Sequence, residues 1–346
     1  MDAFPVDRLR SWGVAIYVAT GMAESDATTV IDNQLWSDLR GVDTHGFQRI
    51  SWYVRWFREG RCDPKAQLRI VSESPTAMVG DGQGGLGQLV VTRFVDRLIE
   101  AAGRSGLVIG TLRNSNDWGC GANYPCRAAD AGLVCFATTT SVPNLAPFGS
   151  RRRLLGNNPI VYAFPRRSDP PIVLDMALTP VALGKVLRAR SEGTQIPLDW
   201  GFRDREGQPT RDPDAALAGV IPAIGGYKGI GLAVVSNLLA GVLSGSAHTG
   251  DVEVGRRGQF LLLLDPQNWI ERERYFDAVE EMVAQIRASE EDALPGERVW
   301  LPGEIEQRNF EERAKRGAVV YPPSVIRSLE KTGADLGVPF DIEPVG

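Results

Sequence analysis

Apolar positions recur along the chain either three to four residues apart or in short continuous runs, and each pattern predicts an element. The clearest helix covers residues 25–39, where five apolar side chains fall at helical spacing: Ala27, Val30, Ile31, Leu35 and Leu39. Ser25 is placed to cap the first turn, and Gly41 to end the last. We therefore expect a helix here, followed by a loop.

Further strands and helices follow in alternation. Short apolar runs predict strands at residues 107–112, 133–140, 160–164, 172–175 and 260–264. Helical spacing predicts helices at residues 121–131, 179–191, 227–243, 271–288 and 304–316. Residues 51–69, rich in Trp, Tyr and Arg, indicate a surface or interface segment. The predicted fold class is α/β or α+β, because strands and helices interleave, whereas strand directions cannot be read from the pattern.

Gly80, Gly82 and Gly85 follow a possible short strand with the spacing G-x-G-x-x-G, and a helical pattern comes next. This spacing is typical of a Rossmann loop. However, no strand with an acidic ribose ligand follows at roughly 20 residues. In so glycine-rich a loop the spacing is also common by chance. We favour a flexible lead into a helix over a dinucleotide site.

The loop after residue 39 carries candidate chemistry, because it holds His45, one of two histidines, and Arg49 four residues later. An imidazole titrates near neutral pH and can exchange a proton with a substrate oxygen. The planar guanidinium of Arg49 matches a carboxylate. The competing interpretation is a loop histidine bonded to backbone beside a solvated arginine, and this stretch alone favours that competing interpretation.

Composition narrows the class of protein. With 38 basic and 43 acidic residues and a net charge of −5, the chain has no basic field for nucleic acid. The first seven residues do not resemble a signal peptide, and the longest apolar stretch, residues 230–243, is too short to span a membrane. We interpret that stretch as a buried helix and expect a soluble, cytoplasmic protein without membrane or nucleic-acid partners.

The cysteines give no sign of a metal site or a disulfide framework. Cys62, Cys120, Cys126 and Cys135 include no CxxC pair, and no histidine lies near the last three. We expect reduced, mostly buried thiols and no metal. No G-x-S-x-G elbow or cysteine-protease signature supports hydrolase chemistry.

Several segments together resemble the type-2 malate/L-lactate dehydrogenases, a family that includes ureidoglycolate and sulfolactate dehydrogenases, diketogulonate reductase and the cyclic imino acid reductases. The resemblance extends over nearly the whole chain. It rests on DLRGVDTHG at 38–46 with Arg49, GLGQ at 85–88, NSN at 114–116 with Gly119, PFG at 147–149, LGNNP at 155–159, LDMA at 174–177, Gly184-Lys185 and GGYKGIGL at 225–232.

This resemblance implies a homodimer that uses NAD or NADP and acts on a small carboxylate substrate. It implies a nicotinamide-binding domain that is not Rossmann-like, over residues 76–294. A helical lobe built from both chain ends, residues 1–75 and 295–346, would flank that domain. By the same resemblance, the glycine loop at residues 80–87 has no dinucleotide role.

The resemblance also implies roles for individual residues. His45 would be the proton donor, and Thr44, Arg49 and Asn116 would contact the substrate, with Arg49 as the carboxylate clamp. Five residues fall on family cofactor contacts: Ser141, Asp175, Met176, Ala177 and Lys228. The glycines beside Lys228 would allow the backbone to approach a phosphate. The simpler alternative treats Asp175 and Met176 as a strand end and Lys228 as a helix-terminus charge.

Asp117 stands where family members commonly carry a histidine, which in some of them is the acid/base. The other histidine, His248, is no obvious substitute. Three accounts remain open. His45 alone could serve the reduction of a 2-oxo acid, which would require Asp117 to have a raised pKa or the substrate to bind in a different pose. An ionised Asp117 could instead stabilise the iminium of a cyclic imino acid. Finally, the chemistry could be lost, leaving a cofactor-binding pseudoenzyme or assembly protein.

Overall fold

A seven-stranded mixed sheet forms the centre of the computed structural model, which describes residues 2–345. With strands numbered along the chain, the spatial order is β2 (Arg69–Glu73), β3 (Ala77–Asp81), β4 (Leu107–Ser115), β8 (Arg257–Leu264), β5 (Val134–Thr139), β6 (Ile160–Phe164) and β7 (Ile172–Met176). Only β3 and β4 are parallel, and every other neighbouring pair is antiparallel. This arrangement is unlike the all-parallel order of a doubly wound sheet.

A helical lobe is assembled from the two chain ends. Its helices are α1 (Val6–Ala19), α2 (Glu24–Leu39), α3 (Ile50–Arg58) and α11 (Pro323–Leu336), and its two-stranded sheet pairs β1 (Asp2–Pro5) with β9 (Ala318–Tyr321). One hydrophobic cluster joins buried side chains from both ends, including Leu9, Ile31, Phe47, Tyr321 and Leu329. The two ends therefore share one core, although about 300 residues separate them in sequence.

Two further clusters complete the interior. Helices α4 (Gly87–Ser105) and α5 (Asn123–Asp130) pack on the large sheet around Phe94, Leu98 and Tyr124. Helices α6 (Leu183–Glu192), α7 (Pro213–Ala218) and α8 (Tyr227–Ser236) surround a third cluster that contains Val186 and Phe202. Helices α9 (Arg272–Ala288) and α10 (Glu304–Arg316) complete the helices of residues 2–345.

Three local predictions need correction. Helix α2 begins at Glu24, and the residue before it, Ala23, makes no side-chain cap, so Ser25 lies inside the first turn instead of capping it. The helix predicted at 179–191 begins only at Leu183, because the backbone of Ala182 before it is extended, with φ −61° and ψ 131°. Residues 51–69 are not simply a surface segment, since α3 buries Tyr53 and Val54 and exposes Trp52.

The stretch at residues 230–243 is helical as predicted, but it is not buried. Helix α8 passes into a single π-helical segment, Asn237–Val242. Six of its apolar side chains are largely exposed: Leu232, Val234, Val235, Leu238, Val242 and Leu243. The prediction of a buried helix was therefore wrong for the isolated chain. No helix within residues 2–345 is both long enough and apolar enough to cross a bilayer.

The fold class predicted from the alternation, a mixed α/β protein, is confirmed. The strand order could not be read from the sequence pattern, because every strand pair except β2–β3 and β6–β7 joins segments separated by a helix or by at least 20 residues. The observed order brings the start of β8 beside the end of β4, at the Ser115–Arg257 pair. That strand contact places Arg257 beside Asp117.

Candidate active site

A cleft of about 1330 Å³ is lined by residues of both the helical lobe and the large sheet. Its wall includes Thr44, His45, Arg49, Asp117 and Arg257. A cleft of this size has room for a dinucleotide together with a small substrate, since common small-molecule sites measure about 300–1,000 Å³. The residues singled out from sequence in the 38–49 loop therefore meet Asp117 in one cavity.

The loop that carries His45 is held by a buried carboxylate. Asp38 Oδ2 accepts hydrogen bonds from the Phe47 backbone N–H and the Tyr321 hydroxyl, each at 2.8 Å. Gly46 lies so close that an added Cβ would be 2.0 Å from Asp38 Oδ1, which excludes any larger residue there. Burial raises the pKa of Asp38 to about 8, against both hydrogen bonds. Asp38 is therefore mostly protonated at neutral pH.

His45 lies in a short 3-10 turn, Asp43–His45, which begins after a three-residue link that follows α2. Thr44 Oγ1 lies 3.0 Å from His45 Nδ1, which leaves Nε2 as the nitrogen available to a substrate oxygen. Burial lowers the pKa of His45 to about 4, Arg49 and Arg257 act in the same direction, and Asp117 opposes them. The imidazole is therefore neutral at physiological pH, ready to accept a proton.

Arg49 is held by three neighbours at the edge of the cleft. Its Nε donates to the Thr44 carbonyl oxygen at 2.6 Å, and its Nη1 donates to Asp117 Oδ2 at 3.1 Å. The guanidinium also lies over the Trp52 ring, 4.8 Å from the ring centre. These contacts fix the orientation of the fork and leave Nη2 as a donor for an anion.

Asp117 joins two arginines. Its Oδ2 lies 3.1 Å from Arg49 Nη1 and 3.2 Å from Arg257 Nη1, while its Oδ1 accepts from the Gly119 backbone N–H at 2.8 Å. Burial alone would raise the pKa of Asp117, but the two guanidiniums and the amide outweigh it and hold the pKa well below the usual range. Asp117 is therefore an ionised carboxylate that carries no proton to transfer at neutral pH.

Arg257 is the residue that the sequence analysis missed. It is the first residue of β8 and pairs with Ser115 of β4, two residues before Asp117. No local pattern marks it, since it stands 140 residues away beside a second arginine at the end of a loop. Only knowledge that β8 pairs with β4 would have identified it as a neighbour of Asp117.

Asn116 does not reach the cleft. Its side chain is fully buried, its Nδ2 donates to the Gly84 carbonyl oxygen at 3.2 Å, and its Oδ1 accepts from the Gly255 N–H at 2.7 Å. Both polar atoms are thus engaged with backbone. The structure gives Asn116 a positioning role instead of the predicted substrate contact, because it ties the loop before Asp117 to the loop before Arg257.

The glycine loop at residues 80–87 packs against residues 114–117, the segment that ends at Asp117. A Cβ on Gly87 would lie 2.6 Å from the carbonyl oxygens of Asn116 and Asp117, and a Cβ on Gly82 would lie 3.0 Å from the Asn114 carbonyl oxygen. The loop lies between parallel strands β3 and β4, as in a Rossmann unit. However, its glycines permit close contact with the 114–117 loop and do not line the cleft. It is a packed lead into α4, not the flexible one we expected.

The predicted cofactor contacts divide into two groups. Ser141, Asp175 and Ala177 line the cleft. Ser141 Oγ donates to Asn157 Oδ1 at 2.9 Å, and Asp175 Oδ2 accepts from the Ala122 N–H at 2.8 Å. Met176 instead packs beside the third hydrophobic cluster, and Lys228 is exposed at the start of α8; neither lines the cleft.

The chemistry of the cleft wall fits a nicotinamide dinucleotide. Asn144 Oδ1 and Thr179 Oγ1 are buried, line the cleft, and have no hydrogen-bond partner within residues 2–345. Buried polar atoms in native proteins are normally satisfied, so these two atoms are suited to a bound polar ligand. Together with Ser141 and Asp175, they provide donors and acceptors for the amide and hydroxyl groups of such a cofactor.

Elsewhere the structure bears on the remaining sequence predictions. All four cysteines are buried and free of disulfides, as expected. His248 is exposed and does not line the cleft. Among the side chains of residues 2–345, no group of three or more His, Cys, Asp and Glu is arranged to hold a metal ion.

Comparison with known proteins gives a consistent result. The profile of the malate/L-lactate dehydrogenase family matches residues 4–330. A malate dehydrogenase of Pyrococcus horikoshii is 34% identical over 96% of this chain and 95% of its own length. A pyrroline-2-carboxylate/piperideine-2-carboxylate reductase of Pseudomonas aeruginosa is 30% identical over 95% of this chain and 98% of its own. The sulfolactate dehydrogenase structure from Methanocaldococcus jannaschii superimposes with a TM-score of 0.90 at 30% identity, covering 97% and 98% of the two chains.

Fold, site and relatives together define an NAD(P)-dependent oxidoreductase of the dehydrogenase or reductase class. Within that class, the chain belongs to the malate/L-lactate dehydrogenase family. The family resemblance predicted from sequence is confirmed. The pseudoenzyme alternative finds no support in the relatives or in the cleft, which unites a histidine, two arginines and an ionised aspartate.

Proposed function

We propose that this protein interconverts a 2-hydroxy acid and the corresponding 2-oxo acid with NAD or NADP. The observation that carries the proposal is the set of charges around His45: two guanidiniums, Arg49 and Arg257, and a single carboxylate, Asp117. One positive charge is left over, so the site favours a carboxylate substrate. Bound NAD(P) would accept or supply the hydride at the carbon next to that carboxylate.

His45 carries the proton in this proposal. Neutral at physiological pH, it accepts the proton of the substrate hydroxyl at Nε2 during oxidation. In the opposite direction it returns a proton to the oxygen of the 2-oxo acid. A bound substrate carboxylate raises the pKa of His45, because a nearby negative charge favours the imidazolium.

Arg49 orients the substrate, since its Nη2 is the terminal nitrogen left by the contacts to Thr44 and Asp117. Thr44 assists by holding both His45 Nδ1 and Arg49 Nε. Asp117 sets the charge of the site without exchanging a proton. For the cofactor, we propose contacts with Ser141, Asp175 and Ala177. Lys228 and Met176 remain candidates only if the chain rearranges or a second subunit adds to the site.

A cyclic imino acid is the second candidate, favoured by the ionised state of Asp117 and by the similarity to the Pseudomonas aeruginosa reductase. A protonated C=N needs little general acid, and an aspartate stabilises its charge. However, the two arginines outweigh Asp117, so an iminium would meet net positive surroundings. We therefore rank the oxo acid first.

The experiment is to mix the purified protein with NADH or NADPH and to measure cofactor oxidation on two substrate sets. The first contains pyruvate, 2-oxobutanoate and oxaloacetate, and the second contains pyrroline-2-carboxylate and piperideine-2-carboxylate. Turnover with the oxo acids supports the proposal, and turnover with the imino acids alone would replace it by the second candidate. The same assay identifies the preferred cofactor.

We also propose that the protein forms a homodimer through the exposed apolar side chains of α8 and its π-helical extension. Large exposed apolar patches on soluble proteins commonly mark interfaces. Val235 and Leu238, about half exposed, lie in this patch. Light scattering should give twice the chain mass for the wild type and a lower mass for Leu238→Arg. A monomeric wild type would contradict the proposal.

Two further expectations stand as proposals. The domain division into residues 76–294 and a lobe of residues 1–75 and 295–346 is supported by the shared core of the chain ends, and limited proteolysis that cuts near residues 75 and 295 would support it. Cytoplasmic location is supported by the four free, buried thiols and is testable by cell fractionation.

A further inference from the structure

Three charged side chains form a continuous unit in the cleft, which we call the Arg49–Asp117–Arg257 bridge. A single oxygen, Asp117 Oδ2, lies within 3.1 Å of one guanidinium and 3.2 Å of the other. The arginine side chains are only 16% and 13% exposed, and the Asp117 side chain 9%. These charges are therefore poorly screened, and they act strongly on any ligand in the cleft.

The bridge has a definite net charge. Two guanidiniums and one carboxylate sum to one positive charge. His45 adds none at neutral pH, because its pKa of about 4 keeps the ring neutral. The charged groups that act on His45 are these same three residues. A substrate that reacts beside His45 therefore meets one unbalanced positive charge.

Both carboxylate oxygens of Asp117 already contact groups of the protein. Oδ2 accepts a hydrogen bond from Arg49 Nη1 and forms an ion pair with Arg257 Nη1, and Oδ1 accepts the Gly119 N–H, so both carboxylate oxygens are engaged by the protein. The guanidiniums, in contrast, keep unused donors. Arg257 Nε is buried and has no hydrogen-bond partner within residues 2–345. Asp117 therefore acts on a ligand through its charge, and the arginines act through direct contact.

We propose that the Arg49–Asp117–Arg257 bridge selects substrates by charge, favouring 2-oxo and 2-hydroxy acids with a single carboxylate over dicarboxylates, and that Arg257 is a further specificity-determining residue. This inference rests on the proposed function. A monocarboxylate balances the bridge, whereas a dicarboxylate leaves an uncompensated negative charge beside Asp117. Malate, named for the Pyrococcus horikoshii relative, carries two carboxylates, so the selectivity would differ from that relative's.

The test compares 2-oxobutanoate with oxaloacetate, which have the same number of carbons and differ in one negative charge. For the wild type, kcat/KM should favour 2-oxobutanoate. The nearly isosteric Asp117→Asn removes the negative charge and should shift the ratio toward oxaloacetate by roughly 10- to 100-fold, since each tenfold is about one pKa unit of interaction. Asp341→Asn, the same change at an exposed site, should leave the ratio unchanged.

Arg257 is tested by two variants. Arg257→Gln removes the net positive charge and should raise KM for 2-oxobutanoate by roughly tenfold or more, with a smaller change in kcat. Arg257→Lys keeps the charge and should recover a substantial part of that loss. If both variants raise KM equally, the effect is structural and the specificity role of Arg257 is wrong.

A binding measurement provides a readout that does not require turnover. Oxamate and oxalate are similar in size but carry one and two negative charges. Calorimetry on the protein saturated with NADH or NADPH should show tighter binding of oxamate to the wild type. Asp117→Asn should reverse or abolish this preference. Equal affinities in the wild type, or a preference that survives Asp117→Asn, would overturn the proposal.

The failure of this inference is distinguishable from failure of the proposed function. Turnover of both oxo acids with a ratio that Asp117→Asn does not change would contradict the charge selection and leave the dehydrogenase function intact. Oxidation of neither NADH nor NADPH by any oxo acid would contradict the proposed function, and the charge selection would be rejected with it.

Discussion

Asp38 and Asp117 are two buried carboxylates on either side of the loop that carries His45, and their surroundings differ in one respect. Asp117 contacts two guanidiniums, whereas the Asp38 carboxyl is held by a phenol and a backbone amide. The pKa of Asp117 is therefore held below its usual range, and the pKa of Asp38 is raised to about 8. Burial is common to both, so the partners decide the charge.

Because their protonation states differ, the two aspartates have different roles. Asp38 is an uncharged anchor that holds the Phe47 N–H and the Tyr321 hydroxyl, which ties the His45 loop to the C-terminal part of the lobe. Asp117 is a charged element of the site itself. A neutral anchor adds no field near the substrate, so the charge around His45 comes from the bridge alone.

The largest effect is expected at His45, because Asp38 holds its loop and Asp117 contributes to the charge around it. His45→Ala should lower kcat/KM by about 10²- to 10⁴-fold, because it removes the group that exchanges the proton. His248→Ala is the matched control, since His248 is exposed and outside the cleft, and it should retain full activity. Steady-state kinetics on the best oxo acid measures both. Full turnover by His45→Ala would end its assigned role.

Asp38→Ala should reduce the free energy of unfolding by about 2–4 kcal/mol, because two buried donors lose their acceptor and a cavity forms. Asp38→Asn should cost markedly less, since an amide oxygen can accept both hydrogen bonds and the protonated acid is already uncharged. Urea unfolding at pH 7 compares them. A loss as large for Asn as for Ala would mean that Asp38 acts as a charged group.

The two carboxylates should also have opposite effects on the pH dependence of stability. The folded pKa of Asp38 is raised to about 8, so its contribution is full below the unfolded pKa of about 4 and is lost as pH rises toward 8. The slope is about −1.4 kcal/mol per pH unit. Asp117, with a lowered pKa, contributes above pH of about 4 and loses that contribution in acid.

Urea unfolding between pH 6.5 and 8 measures this slope, because below about pH 6.5 the lowered pKa of His45 adds a slope of opposite sign. Asp38→Asn should remove the decline across that range, because an amide does not titrate. Asp117→Asn should leave the decline in place. A wild-type curve that rises steadily from pH 6.5 to 8, unchanged by Asp38→Asn, would contradict the assignment of a protonated anchor.

Gly87→Ala should disturb the loop that carries Asp117 and leave the surroundings of Asp38 unchanged. Its Cβ would lie 2.6 Å from the Asn116 and Asp117 carbonyl oxygens, so the loop must move, at a cost of about 1–3 kcal/mol and with a lower kcat/KM. Gly103→Ala, in the same helix with no atom within 4 Å of its Cβ, should be neutral or stabilising. If both variants have the same stability and the same kcat/KM, the glycine loop does not position Asp117.

The smallest effect concerns the pH profile of oxidation. Because His45 has a pKa of about 4, kcat/KM should stay level down to about pH 5 and fall below it. Arg257→Gln removes a charge that lowers this pKa, so the acid limb should move to higher pH by roughly one unit. The neighbouring, exposed Arg256→Gln should leave the limb in place. If the acid limb of the Arg257→Gln profile stays in place, the charge of Arg257 does not affect the pKa of His45.

Predictions from sequence were accurate where the pattern was local. Strand β6 and helix α10 have the predicted bounds, and the helix before the His45 loop differs by one residue. Errors arose where a neighbour distant in sequence decides. Asn116 was predicted to contact substrate, but its amide binds the backbone of Gly84 and Gly255. Residues 230–243 were predicted to be buried because hydropathy does not show which face another element covers.

The sequence by itself determined that His45 and Arg49 share a loop after a helix, that a carboxylate replaces the histidine common in the family, and that the fold mixes strands and helices. These features follow from spacing within a few residues and from ordered motifs. Only the tertiary structure decided the charge of the site. The pairing of β4 with β8 brings Arg257 to Asp117, and the return of the C-terminal segment brings Tyr321 to Asp38. A carboxyl's protonation depends on its spatial neighbours, and the nearer of the two guanidiniums that keep Asp117 ionised already lies 68 residues away in sequence.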